Sequence, residues 1–290
     1  MVADRLVRLT EHDDGVNRWR MAHVSPTAVL TGLIRGYCDY DETTGGFTTR
    51  RELPHGEGVV IVNLGAPIAI VGGDGRTITL RAGEGFVAGV HLRPALSRSI
   101  GAQRGIHVFL PLASLRRLLG MPMHALFDRV VPLDALLGRG AGDLGERLAE
   151  ARTLDARVAL LDRHLTRRFA DTPPMSVADA AALARVAGRP DQDLVEVARM
   201  IGWSRKHLAH RVRDAIGVGP RSYRRLLRFQ STIGAIGDGS GMDANWAAFA
   251  AGRGYCDQSH LIREFREFAG MTPQTYVARL AGGGGGLIEA

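Results

Sequence analysis

Between Arg199 and Arg228 the chain carries nine basic side chains and one acid, Asp214, a net charge of +8. Acids at i, i+4 spacing normally turn such a run into a salt-bridged helix face, and along this stretch they are nearly missing. The chemistry on offer is neutralisation of a polyanion, with phosphate as the natural partner. Other reactive residues are scattered. His23, His55, His91 and His107 form no H-x-H pair with a nearby Glu, and His55-Gly56-Glu57 is only a faint echo of one. That spacing predicts neither a metal nor a cofactor. Gly83-Glu84-Gly85 lacks the lysine and following helix of a phosphate loop and reads as a hairpin turn. No Ser-His-Asp, paired-carboxylate or C-x-x-C arrangement stands out, so no catalytic residue is expected.

The basic run lies inside a stretch that the chain writes twice. Ala198, Gly202 and Trp203 return as Ala250, Gly254 and Tyr255, 52 residues on. Leu208, Val212, Gly217, Pro220 and Tyr223 return as Leu261, Phe265, Gly270, Pro273 and Tyr276, 53 residues on. A repeat constrains architecture before anything else does. Each copy has the pattern of a helix-turn-helix. The Ala lets a second helix cross closely, the Gly frees the turn, and the aromatic plugs the angle between the helices. Ser204 and Asp257 are good N-caps. Leu208 and Val212, like Leu261 and Phe265, are spaced i, i+4 and face inward. Trp246 and Phe249 join the expected core of the second motif. Arg205, Lys206, Ala209, His210 and Arg213 then face outward on one second helix, and Gln258, Ser259, Ile262 and Arg263 on the other. The second helix of such a motif is the one that enters a DNA major groove.

The residues G-Y-C-D-Q-S-H-L-I-R-E-F and G-M-T-P-Q-T-Y of the second copy resemble the signature of AraC/XylS-type transcription regulators. The resemblance covers roughly residues 176 to 280. It implies a sequence-specific regulator of promoter operators, usually an activator, often with an N-terminal ligand-sensing domain. It places base contacts on Lys206, Ala209 and His210, and on Gln258, Ser259 and Arg263. Gln suits adenine, Arg suits guanine, and Ala209 can touch a thymine methyl. Phosphate contacts are expected from Arg205, Arg211, Arg213, Arg221, Arg224, Arg225 and Arg228, and from Arg266 on the second copy. The raw charges suggest that the first motif grips and the second discriminates. RNA polymerase, a small-molecule effector and a second copy of the chain are the further partners this reading admits.

The chain has 290 residues, 45% of them hydrophobic and 23% charged, with a net charge of +7. That is enough for two domains. No apolar run approaches the ~20 residues of a membrane helix, and the N-terminus lacks a signal peptide's apolar core, so a cytoplasmic protein is expected. Cys38 and Cys256 fall in different expected domains, which argues against a structural disulfide. Short β-like runs broken by glycine fill residues 53 to 110, with a hairpin turn at Gly72–Gly75. A strand is expected over Leu30–Tyr40, and two short ones at Ile100 and Gly105–Leu110. Together they predict a small barrel, in keeping with the cupin-like sensors of the resembled family. One long helix is expected over Asp143–Phe169, either as a dimer contact or packed on its own barrel.

The expected class is α+β: a small N-terminal β-barrel, cupin-like, with helices, then an all-α domain with two tandem helix-turn-helix motifs. The expected boundaries are 1–170 for the sensor or dimerisation domain, with helices from about 111, 171–175 for the linker, 176–280 for the DNA-binding domain, and 281–290 for a Gly-rich disordered tail. Two other readings remain: a cupin-like enzyme or metal-dependent repair protein fused to a DNA-binding domain, and a regulator whose N-terminal domain only dimerises. Neither the ligand-binding residues nor the operator can be read from the residues.

Overall fold

The computed structural model describes residues 3–188, 192–237, 245–280 and 287–288. The sequence also predicts a helix break at Gly188–Asp191 and a glycine loop at Gly237–Gly241; 189–191 and 238–241 lie outside the described residues, as do 281–286 and 289–290 of the expected tail.

The N-terminal part is an antiparallel sheet. Its strands are β1 (Leu6–Asp13), β2 (Arg18–Val24), β3 (Gly36–Glu52), β4 (Glu57–Asn63), β5 (Ile68–Val71), β6 (Thr77–Leu80), β7 (Gly85–Ala88) and β8 (Ala95–Pro111). Helix α1 (Leu112–Leu119) follows, then strand β9 (Val130–Pro132). The order is β1-β2-β3-β8-β4-β7-β9, with β5 paired to β6 and β8. β3 and β8 are each 17 residues long and pair from Gly36↔Phe109 to Glu52↔Ala95, with a register shift between Thr43 and Phe47. One end of β8 pairs with β4 and the other with β5. The sheet therefore branches at β8, and Ile68, Ile70, Leu80, Phe86, Ala88 and Val130 of β5, β6, β7 and β9 form a second apolar cluster. The strand expected over Leu30–Tyr40 begins only at Gly36, and the two strands expected near Ile100 and Gly105 are one.

The outer face of the sheet is covered by helices α2 (Leu133–Leu137), α3 (Arg139–Glu150) and α4 (Leu154–Ala170), together with α1. The single helix expected over Asp143–Phe169 is thus two. Its break falls where Thr153 caps α4 by accepting from Ala156 N. α4 packs on its own sheet: Tyr37 Oη donates to Asp162 at 2.7 Å, and Arg157 donates twice to Asp39, at 2.5 and 3.0 Å. Both members of the Arg157–Asp39 pair are buried, so each needs the other.

The C-terminal part consists of α5 (Val177–Gly188), α6 (Leu194–Met200), α7 (Arg205–Ile216), α8 (Pro220–Gly237), α9 (Trp246–Gly252), α10 (Gln258–Ala269) and α11 (Pro273–Leu280). A two-residue strand, β10 (Leu287–Ile288), pairs with β3. One apolar core runs without interruption from the sheet into these helices. The sheet domain meets the C-terminal end of α7, where Gly217 packs against Val90 and Met123 and Arg116 donates to Asp214 at 2.6 Å. It also meets the C-terminal end of α10, where Arg51 donates to Ala269 O at 3.4 Å. None of the helices among the described residues is long and apolar enough to cross a membrane.

Candidate nucleic-acid interface

Each motif is built by the local chemistry its residues suggest. In the first, Ala198 is buried and its carbonyl accepts from Trp203 N at 2.9 Å. Gly202 sits at φ 71°, a left-handed conformation costly for a residue with a Cβ. Ser204 caps α7 by accepting from His207 N, and the His207 ring meets Trp203 edge-on at 4.7 Å. Leu208 and Val212 are each 1% exposed. The second motif repeats this atom for atom: Tyr255 N donates to Ala250 O at 3.0 Å, Gly254 sits at φ 74°, and Asp257 caps α10 through His260 N. Leu261 and Phe265 are fully buried, and Trp246 meets Phe249 edge-on at 5.6 Å. Left-handed Gly217 and Gly270 end α7 and α10.

Outward from these cores stand the residues of interest. Arg205, Lys206, His210 and Arg213 are exposed on α7, with Ala209 half-buried. Gln258, Ser259, Arg263 and Arg266 are exposed on α10, with Ile262 half-buried. Among the described residues none of these polar side chains has a protein partner. The sheet domain contacts both helices at their C-terminal ends, so their N-terminal ends, which reach base edges in such motifs, are left open.

The remaining arginines behave otherwise. The run has few acids along the chain, yet the fold brings acids to it from elsewhere. Arg211 grips Asp179 of α5 with two nitrogens, and this holds the Asp179 carboxyl below its usual range. Arg225 Nε donates to Glu264 at 2.9 Å and its Nη1 to Glu267 at 3.1 Å. Arg228 donates to both oxygens of Glu264, at 3.1 and 2.7 Å, and lies over the Tyr255 ring at 4.7 Å. Arg224 holds the carbonyls of Val186 and Gln192 at 3.0 and 2.6 Å. Four of the eight side chains expected at phosphate thus have protein partners, supplied from outside a run that itself holds only one acid.

Sequence reasoning missed Asp179 and Glu264. Arg211 and Glu264 are 53 residues apart, the same position in the two copies. One ties α7 back to α5 and the other ties α10 back to α8, with the charges reversed. Each recognition helix is therefore tied to the helix that precedes its motif, α7 to α5 and α10 to α8. A signal was available: Glu264 sits next to Phe265 on the buried face of α10, where a carboxylate needs a cationic partner.

In the sheet domain His107 is driven down to about 4 by burial. His91 is buried, with Nδ1 4.0 Å from Asp128, and desolvation lowers its pKa too. Among the described residues no three His, Cys, Asp or Glu side chains stand where they could hold a metal ion.

Residues 197–279 match the model of a family described as a helix-turn-helix domain. This is an AraC/XylS-type DNA-binding domain. The residues matched run from the start of the first motif through α11, the span of the repeat. Three solved structures align with about four fifths of the chain. ToxT from Vibrio cholerae O395 is 11% identical with a TM-score of 0.47, over 82% of this chain and 94% of that one. Wild-type ToxT of V. cholerae strain SCE256 bound to unsaturated fatty acid is 12% identical, TM-score 0.48, over 82% and 93%. The AraC-like transcriptional activator CuxR is 17% identical, TM-score 0.34, over 79% and 89%. At these values none of the three bears on what this chain binds. A search of curated proteins finds no match. The match gives the chain a DNA-binding domain of the transcription-regulator type over residues 197–279.

Proposed function

We propose that this regulator binds an operator with both motifs on one face of the duplex, their recognition helices about 34 Å, one helical turn, apart. The observation that carries the reading is the pair of open N-terminal ends of α7 and α10. Each bears polar side chains without protein partners, on cores built alike. Lys206, Ala209 and His210 read bases from α7; Gln258, Ser259 and Arg263 read them from α10. Arg205, Arg213, Arg221 and Arg266 contact phosphate, and Arg211, Arg224, Arg225 and Arg228 stay in their protein contacts. Footprinting tests the docking: two successive protected major grooves per protomer are expected, and one alone overturns it.

Gln258→Ala and Arg263→Ala each cost roughly 1–3 kcal/mol in discrimination at one half of the site. Binding to unrelated DNA hardly changes. Equal losses on operator and random DNA in a competition titration would assign both side chains to phosphate instead.

We further propose residues 1–170 as a sensor domain joined through 171–175 to a DNA-binding domain at 176–280, in a cytoplasmic protein responsive to a small molecule. The sheet domain touches the C-terminal ends of both recognition helices, so an effector that shifts the sheet would alter their relative placement. Activation through RNA polymerase is the role implied by the family resemblance, and a second copy of the chain is a further partner. A promoter-fusion assay with and without the regulator decides between activation and repression.

A further inference from the structure

Between the two motifs the surface is hollowed into a cleft of about 860 Å³. Its floor is α8. Its walls are the start of α6 with Arg205 on one side and the turn at Gly252-Arg253-Gly254 on the other. Arg205, Arg221, Arg224, Arg225, Arg228 and Arg253 line it, against one acid among the described residues, Asp193, whose carboxylate already caps α6 through Val195 N. Arg224, Arg225 and Arg228 are held by the carbonyls and glutamates described above. Arg205, Arg221 and Arg253 meet no carboxylate among the described residues. Arg253 lies over the Phe249 ring at 5.7 Å and touches Ser231 Oγ at 3.5 Å.

The cleft opens on the side of the recognition helices' N-terminal ends. Arg205 is the first residue of α7, and Arg253, the C-cap of α9, stands in the turn that leads to the Asp257 cap of α10. When two recognition helices occupy successive major grooves on one side of a duplex, the minor groove between them faces the protein, over about five base pairs. We propose that this cleft reads those central base pairs through the width of their minor groove, with Arg221 and Arg253 as the reading side chains, each set between the two phosphate backbones so that the phosphate contact of Arg221 is made at the groove's edge. The inference rests on the docking proposed above. A run of A·T pairs narrows the minor groove and deepens its negative potential, which draws in arginine. A guanine places its amino group on the groove floor and works against entry. Guanidinium, being weakly hydrated, enters such a groove at less cost than an ammonium group. Sequence preference then arises where no base edge is hydrogen-bonded in the major groove.

The test uses the full chain and the tightest duplex recovered by selection from a random pool. Both motif sites are kept, and the central base pairs are replaced by an A·T run, a G·C run or an inosine·C run. Inosine keeps the major-groove acceptors of guanine and lacks its minor-groove amino group. The A·T and inosine·C centres should bind about tenfold more tightly than the G·C centre at equal salt. In Arg221→Ala/Arg253→Ala that ratio should fall to about 1–2, whatever the absolute affinity. Equal binding of all three centres overturns the proposal, as does an unchanged ratio in the double variant. Inosine·C behaving like G·C also overturns it, by placing the preference in the major groove. Failure of the docking itself looks different: no recovered duplex, whatever its centre, binds better than random DNA, and the cleft reading falls with it.

Discussion

Replacing Glu264 by alanine is expected to lower folding stability by about 3 kcal/mol. Its side chain is 1% exposed and accepts from Arg225 Nε and from Nε and Nη2 of Arg228. Removing one partner of a buried ion pair leaves the other charge desolvated, at a cost of about 3–5 kcal/mol. The low end applies here, because the Arg225 and Arg228 side chains are 35% and 24% exposed and water can reach them. Arg225 also retains Glu267. Glu267→Ala provides the internal contrast: its side chain is 50% exposed, and such a pair contributes less than about 1 kcal/mol. Glu264→Gln keeps the acceptor oxygen and should fall between the two. Urea titrations of the three variants decide the matter, provided the slope against denaturant is unchanged. Equal losses in Glu264→Ala and Glu267→Ala would mean that the clasp between α8 and α10 does not hold the second motif. Specific DNA binding by Glu264→Ala should weaken more than its stability alone explains, since the clasp sets the angle of α10 on α8.

The motifs were legible because each position has a local reason. Ser204 and Asp257 are caps, Gly202 and Gly254 adopt positive φ, and the aromatic after each sits at a fixed offset. The hairpin at Gly72–Gly75 was legible on the same ground: Gly75 takes φ 80° and its N–H donates to Gly72 O. What stayed hidden depends on contacts distant in sequence. Glu264 meets Arg225 and Arg228 across 39 and 36 residues, and a charge count taken along the chain cannot register that. The leucine period continues through the break between α3 and α4, so the cap at Thr153 passed for one more helical position. β1 escaped notice because it is the outermost strand, and the alternation that marks a half-buried strand is weak there. Leu6, Val7 and Leu9 are all exposed. The boundaries of β3 and β8 follow from their pairing with strands distant in sequence, β8 with β3, β4 and β5, which no window of sequence reveals.

Neutralising Arg205, Arg213 and Arg221 together is expected to flatten the slope of log K against log salt by up to ~3, since each released phosphate contact contributes about 0.9. Neutralising Arg221, Arg224 and Arg225 should flatten it by only about 1. The difference follows from where the guanidinium groups lie. Arg224 and Arg225 already donate to carbonyls and to Glu264 and Glu267. Contacts already made in the free protein displace no counterions from DNA. The same reasoning narrows the contrast between the motifs that raw charge suggests. Of the nine basic residues from Arg199 to Arg228, four are engaged within the protein, leaving Arg199, Arg205, Lys206, Arg213 and Arg221. The second motif offers Arg253, Arg263 and Arg266, and its acids Glu264 and Glu267 are consumed by the clasp. Arg253→Ala/Arg266→Ala should therefore flatten the slope by up to about 2, so the second motif also grips. Titration of a labelled operator at several salt concentrations reads all three slopes and is insensitive to uniform losses from partial unfolding. If the Arg221/Arg224/Arg225 variant flattens the slope as much as the Arg205/Arg213/Arg221 variant, the clasp arginines must leave their protein partners for phosphate on binding. Glu264→Ala would then free Arg225 and Arg228 and steepen the slope, and its failure to do so would return those arginines to a purely structural part.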